Sequence, residues 1–130
     1  MKYLLDANAV IALLKGHAGF LARLKSQKPL DVGVSSIVAH ELFYGAYRSQ
    51  RVSENLARVE ALQFEVLDFD REDARQAGQI RAEMALMGTP IGPYDVLIAG
   101  QALARELTLV THNLREFSRV SNLKVEDWEN

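Results

Sequence analysis

The chain has 130 residues, a formal net charge of −2 and no cysteine. The lack of cysteine excludes disulfides and thiolate metal sites, and the slightly acidic balance argues against nucleic-acid binding through a generally basic surface. No apolar run approaches the roughly 20 residues that span a bilayer, and no signal peptide is evident. We therefore expect a cytoplasmic protein that folds as a single domain over residues 1–130.

Apolar runs alternate with segments of helical periodicity along the whole chain. Strands are predicted at residues 3–5, 31–35, 64–69, 107–111 and 124–126. Helices are predicted at residues 9–14, 17–27, 37–47, 51–63, 71–87 and 94–105, followed by a helical turn at 114–117. Ser36 and Asp70 are the expected N-caps of the third and fifth helices. The alternation predicts an α/β fold with a mostly parallel sheet of four to five strands and helices on both faces.

The first strand is expected at the centre of the sheet, because its continuous apolar run is typical of a strand buried on both faces. The likeliest strand order places the second and third strands on one side of it and the fourth on the other. Ligands bind such sheets at the carboxyl ends of the strands, where the strand order reverses. Asp6 ends the first strand, and Thr111, His112 and Asn113 follow the fourth. The structural alternative is that Asp6 or Asn8 only caps the first helix.

Two further carboxylates, Glu41 and Asp95, stand in apolar surroundings. Their neighbours three and four positions away include no cation, so a helical ion pair explains neither residue. A buried carboxylate must be paired, metal-bound or neutralised, because burying it unpaired is very costly. The structural alternatives are a favourable position of Asp95 near a helix N-terminus, and for Glu41 exposure or pairing with a distant arginine.

Taken together, Asp6, Glu41 and Asp95 predict an acidic pocket that holds a hard divalent cation. All-oxygen ligation favours Mg²⁺, with Mn²⁺ as a substitute, and the predicted metal ligands are Asp6 and Asp95. Such a cation generates a hydroxide nucleophile and stabilises the charge that develops on a phosphodiester. It also allows a negative pocket to accept a negatively charged backbone.

Four segments, in this order along the chain, resemble a PIN domain, and in particular the VapC toxins of bacterial VapBC toxin–antitoxin pairs. The segments are YLLDAN from residue 3, SSIVAHELFYG from residue 35, IGPYDVLIA from residue 91 and LVTHNLREF from residue 109. The closing VEDW at residues 125–128 extends the resemblance to the end of the chain. The resemblance implies a three-layer, Rossmann-like PIN fold.

The resemblance also implies a metal-dependent endoribonuclease that acts on structured RNA, typically tRNA or ribosomal RNA. It implies a homodimer, held inactive by a cognate VapB-type antitoxin whose tail covers the active-site groove. Position by position, Asp6, Glu41 and Asp95 match the three acidic residues of the family, and Asn113 matches a fourth catalytic position at which many PIN domains have Asp. Because an amide supplies no charge, a second metal site would depend on help from Glu116.

Three other interpretations stay open at this point. His17, His40 or His112 could serve as general acid and base on an RNA 2′-hydroxyl, with His112 nearest the predicted pocket, although a hydrogen-bonded loop histidine explains it equally. A phosphoacceptor receiver domain is disfavoured because Asp6 has no acidic neighbour at the end of its strand. The third interpretation is a catalytically silent PIN fold that only binds RNA or protein.

Aromatic and basic side chains follow the second predicted carboxylate. Tyr44 and Tyr47 beside Arg48 and Arg51 suit stacking on RNA bases. The structural alternative is that Tyr44 belongs to the core and the arginines to a solvated face. Near the carboxyl terminus, Trp128 is expected to pin the end of the chain.

Overall fold

The computed structural model describes all 130 residues. The strands are β1 Tyr3–Leu5, β2 Val32–Ser35, β3 Glu65–Leu67, β4 Thr108–Val110 and β5 Val125–Glu126. The helices are α1 Ala7–Leu14, α2 Ala18–Lys25, α3 Ser36–Tyr47, α4 Val52–Glu60, α5 Arg71–Leu86, α6 Pro93–Ala104 and α7 Leu114–Phe117. Every predicted element is present, with ends that differ by a few residues. None of the helices combines the length and apolar character that a membrane span requires.

The five strands form one sheet in the order β3-β2-β1-β4-β5, and every neighbouring pair is parallel. In the central strand, Leu5 pairs with Val34 on one side and Val110 on the other. The predicted central position of the first strand is therefore confirmed, as is the reversal of strand order between β1 and β4. All carboxyl ends share one edge of the sheet, where ligand sites of such folds lie.

The core joins the central strands to the helices on both faces and includes a cluster of 22 buried apolar residues. Helix α6 is buried along most of its length, as its apolar composition predicts. It packs so closely on α5 that a Cβ at Gly100 would lie 2.6 Å from Ala77. This close approach fixes α6 against the rest of the core, and with it the position of the carboxylate in its first turn.

Two predicted helix caps have different outcomes. Ser35, and not Ser36, caps α3, because its Oγ accepts a hydrogen bond from the amide of the second helical residue at 3.1 Å. The prediction for Ser36 was wrong because that residue already lies in the helix, and its hydroxyl accepts from the amide of Phe69 at 3.2 Å. The prediction for Asp70 is confirmed, since Asp70 and Asp73 each accept a hydrogen bond from the other's backbone amide at 3.0 Å.

The carboxyl-terminal segment is fixed by Trp128, as expected. Its ring is fully buried against Tyr3 and Phe20, at centroid distances of 5.1 and 5.5 Å. Its Nε1 donates to Glu126 Oε1 at 3.0 Å. These contacts hold the residues after β5 beside the carboxyl end of β4.

Candidate active site

Asp6 lies directly after β1 and is 4% exposed. Its Oδ1 accepts a hydrogen bond from the amide of Ala9 at 2.8 Å, so it does cap α1. Burial raises the pKa of Asp6, while hydrogen bonds from the Thr111 side chain and the Ala9 backbone act in the opposite direction. Capping occupies one carboxylate oxygen and provides no countercharge, so the structural role does not account for the buried charge.

Glu41 lies on the second turn of α3, close enough to Asp6 for the two charges to interact. Its Oε1 is buried and has no hydrogen-bond partner. The residue lines a cleft of about 390 Å³ formed by α1, α3 and α4. Burial and then the charge of Asp6 raise the pKa of Glu41. An oxygen in this state is available to a cation or to a water molecule.

Asp95 lies in the first turn of α6, after Pro93 at the start of the helix. Burial and then the charge of Glu116 raise the pKa of Asp95 to about 7, and the charges of Asp6 and Glu41 add to this effect. A favourable position at a helix N-terminus would stabilise the ionised form and lower the pKa. Asp95 does lie at the helix N-terminus, as the structural alternative expects, but burial and the neighbouring carboxylates outweigh that favourable position.

Asn113 and Glu116 act together at the fourth segment. The side-chain amide of Asn113 donates to Glu116 Oε2 at 2.6 Å, and its carbonyl accepts from the Glu116 backbone at 3.4 Å. The amide of Gly92 donates to Glu116 Oε1 at 3.0 Å. Asn113 thus orients Glu116, whose carboxylate supplies beside Asp95 the negative charge that an amide lacks.

The three predicted carboxylates come together from β1, α3 and α6, and Glu116 joins them. Burial and then the charges of neighbouring carboxylates raise the pKa of Asp6, Glu41 and Asp95, so these groups lie close enough for their charges to interact. None of the four forms an ion pair with a Lys, Arg or His side chain within 4.0 Å. We call these four residues the acidic pocket.

A second polar group lies beside the acidic pocket. His112 Nδ1 is 3.0 Å from Asp127 Oδ2 and 3.7 Å from Glu129 Oε2, so the interpretation as a hydrogen-bonded loop histidine is confirmed. The charge of Glu129 also raises the pKa of Asp6. The sequence analysis missed Glu129, and its position three residues after the β5 strand was the only available signal. The ring of His17 has a structural role, because its Nδ1 accepts a hydrogen bond from the amide of Phe20 at 3.1 Å and so caps α2.

The acidic pocket fits a hard divalent cation. Its donors are all carboxylate oxygens, and one of them is buried without a partner. Ligand atoms that all lie within 4.8 Å of one another are found in the group His112, Asp127 and Glu129, and not among three of the pocket carboxylates. Mg²⁺ is usually held by one or two carboxylates and several water molecules, so it does not require three pocket carboxylates at that spacing.

Comparison with known proteins identifies the family. The family model of the PIN domain matches residues 3–123. The tRNA(fMet)-specific endonuclease VapC of Salmonella typhimurium is 44% identical over 130 residues, which cover 98% of each chain. The enzyme of the same name from Shigella flexneri is 42% identical with the same coverage. The crystal structure of DNA-bound VapBC from Salmonella typhimurium matches with a TM-score of 0.93 and 43% identity over 98% of each chain.

The matched region contains all four residues of the acidic pocket. PIN nucleases are metal-dependent, and the all-oxygen pocket at the carboxyl edge of the sheet agrees with that chemistry. The structural match extends over the whole sheet and its flanking helices, so the resemblance does not depend on short motifs alone. This chain therefore belongs to the PIN-domain family and, within it, to the VapC nucleases of toxin–antitoxin systems.

Proposed function

We propose that this chain is the toxin of a type II toxin–antitoxin system and acts as a Mg²⁺-dependent endoribonuclease on structured RNA. One observation carries the proposal: carboxylates from four distant segments meet at the reversal point of the sheet with no cation of the chain to pair them. The relatives from Salmonella typhimurium and Shigella flexneri are named tRNA(fMet)-specific endonucleases, so initiator tRNA is the first substrate to test.

Asp6 and Asp95 are the proposed metal ligands, with Mn²⁺ as an alternative to Mg²⁺. A divalent ion bound there would lower the pKa of a water ligand and offset negative charge on the phosphodiester. Glu41 is the proposed base, because its oxygen without a hydrogen-bond partner is free to take a proton from the attacking water, and burial raises the pKa of this carboxylate. Asn113 holds Glu116 against Asp95 and so maintains the negative charge of the pocket.

The proposed partners follow from the family. A cognate VapB-type antitoxin would hold the nuclease inactive, and the solved relative from Salmonella typhimurium is a VapBC complex. We further propose that the chain forms a homodimer, acts in the cytoplasm and folds as a single domain over residues 1–130.

Sequencing of RNA ends tests the mechanism. Purified protein with initiator tRNA and Mg²⁺ is expected to produce 5′-phosphate and 3′-hydroxyl ends, and EDTA is expected to stop the reaction. Asp6→Asn is the matched control, and we expect it to reduce the cleavage rate by about a thousandfold while the fold stays intact. Cyclic phosphate ends formed in EDTA would instead support attack by the 2′-hydroxyl with imidazole catalysis. Wild-type cleavage by Asp6→Asn would contradict the role of this carboxylate.

A further inference from the structure

A compact group of three metal-ligating side chains lies outside the acidic pocket. His112 follows β4, and Asp127 and Glu129 follow β5 near the carboxyl terminus. One ligand atom from each residue lies within 4.8 Å of those from the other two. We call His112, Asp127 and Glu129 the terminal cluster. It shares no residue with the acidic pocket, although β4 and β5 are neighbours in the sheet and end at the same edge.

The distances within the terminal cluster are close to those between two ligands of one ion. His112 Nδ1 lies 3.0 Å from Asp127 Oδ2 and 3.7 Å from Glu129 Oε2. Zinc bonds to nitrogen and oxygen are about 2.0–2.2 Å long, so two such ligand atoms at a tetrahedral angle are about 3.4 Å apart. An ion therefore requires each distance to change by only about 0.4 Å. His112 then binds as neutral imidazole, with its proton on Nε2.

The chain fixes the two carboxylates but pairs neither with a lysine or arginine. Trp128 stands between them in the sequence and is fully buried, which anchors this short segment. Asp127 accepts hydrogen bonds from the backbone amide of Glu129 at 2.9 Å and from the side-chain amide of Asn130 at 2.8 Å. The Asp127 side chain is 6% exposed, yet no lysine or arginine nitrogen lies within 4.0 Å of either carboxylate. Hydrogen bonds of this kind orient the carboxylate ligands of metal sites.

The terminal cluster is also open to solvent. The His112 side chain is 61% exposed, and His112 and Glu129 line a cleft of about 430 Å³. The cleft leaves room for water molecules that complete the coordination of an ion. Lys15 lines the same cleft but forms no ion pair with the cluster.

The donor atoms distinguish this group from the acidic pocket. One imidazole nitrogen with two carboxylate oxygens suits Zn²⁺ and related transition-metal ions, whereas Mg²⁺ prefers oxygen ligands alone. We infer that the terminal cluster is a second metal site, which binds a divalent transition-metal ion such as Zn²⁺. The ion joins the loop after β4 to the carboxyl terminus and so fixes the last residues of the chain. This inference does not depend on the proposed function, because none of the three residues has a proposed role in RNA cleavage.

Calorimetric titration with Zn²⁺ in excess Mg²⁺ tests the site. We expect the unsubstituted protein to bind Zn²⁺ at the terminal cluster, and His112→Ala or Glu129→Gln to raise the Kd by about tenfold or more. His40→Ala is the matched control, because it removes an exposed imidazole outside the cluster. Asp95→Asn removes a proposed Mg²⁺ ligand and is expected to retain the Zn²⁺ site. In ¹H–¹⁵N NMR spectra, the ring signals that are lost in His112→Ala are expected to shift with Zn²⁺ and not with Mg²⁺.

Three results would overturn the inference. The first is that the unsubstituted protein binds no Zn²⁺. The second is that either His112→Ala or Glu129→Gln binds Zn²⁺ as tightly as the unsubstituted protein. The third is that Asp95→Asn abolishes Zn²⁺ binding while the two cluster variants retain it, which would assign the ion to the acidic pocket. If His112→Ala does not fold, Glu129→Gln still decides the question.

Discussion

Asp73 and Asp6 are both buried carboxylates that accept hydrogen bonds at the start of a helix, yet their pKa values move in opposite directions. They are 1% and 4% exposed, respectively. Burial acts to raise the pKa of Asp73, but hydrogen bonds from Arg105, the Asp70 backbone and Gln101, together with the charge of Arg105, lower it. The Arg105 guanidinium reaches Asp73 Oδ2 at 3.0 Å.

The difference shows what separates a structural carboxylate from one that requires a ligand. At Asp73 the chain provides the cation, so the buried charge is stabilised by folding alone. At Asp6 the chain provides hydrogen bonds and further carboxylates but no cation, so the cost of burial is offset only by protonation or by a cation from solution. Such perturbed groups cluster at functional sites.

Removal of the Arg105 guanidinium from the buried Asp73 carboxylate should have the largest effect on stability. We expect Arg105→Met to lower the free energy of unfolding by about 3 kcal/mol at pH 7, because Asp73 would be left buried without a partner. Urea denaturation measures this change. Arg51→Met is the control, since Arg51 pairs with Glu54 at 3.5 Å on the surface and its loss should cost less than about 1 kcal/mol. Equal losses in the two variants would contradict the comparison.

The free energy that the acidic pocket contributes to stability should depend on pH and on Mg²⁺. The pKa of Asp95 is raised from 3.8 to about 7, so the folded protein binds a proton that the unfolded chain has lost, and stability should fall as the pH rises between these values. At pH 8, excess Mg²⁺ should restore about 1–2 kcal/mol. Urea denaturation in EDTA and in Mg²⁺ across this pH range measures both effects.

Asp95→Asn isolates this contribution, because other groups titrate in the same experiment. The difference between the parent and the variant should show the decline with pH, and the variant should gain less from Mg²⁺. Asp73 should act in the opposite sense, because its lowered pKa gives stability that is lost as the pH falls through and below about 4. If the free energy of unfolding changes with pH in the same way in the parent and in Asp95→Asn, burial of the ionised Asp95 carboxylate does not reduce stability.

The smallest expected effect separates the two roles of Asp6. Asparagine can accept the hydrogen bond from Ala9, whereas alanine cannot, so Asp6→Ala should be about 1 kcal/mol less stable than Asp6→Asn. Both variants should be inactive in the RNA cleavage assay. Equal stability would mean that the cap contributes nothing and that Asp6 serves the pocket alone.

The sequence predicted the fold well because its signals are local or follow general rules. The apolar run at β1, the Asp70 cap and Pro93 at the start of α6 each act within a few residues, and the handedness of crossovers then limits the strand order. The N-cap of α3 shows where local signals fail, because the cap is Ser35 and not the predicted Ser36. Two adjacent serines fit the same pattern, and only the contact of Ser36 with Phe69 distinguishes them.

The acidic pocket was predictable only in part. Asp6, Glu41 and Asp95 could be selected because each lies in an apolar context where a charge is costly. Glu116 lies in an exposed-looking segment beside Arg115, and only the hydrogen bonds from Gly92 and Asn113 direct it to Asp95. The contact with Asn113 is local, but the contact with Gly92 connects residues that are 24 positions apart and leaves no local pattern.

The parallel order of the sheet has a consequence for a cell that makes this protein. β1 is the first strand to be synthesised, but its neighbour β4 and the Glu116 segment come near the end of the chain. An incomplete polypeptide on the ribosome therefore lacks part of the pocket and cannot assemble it. A nuclease built in this way can cleave RNA only after almost the whole chain has been translated.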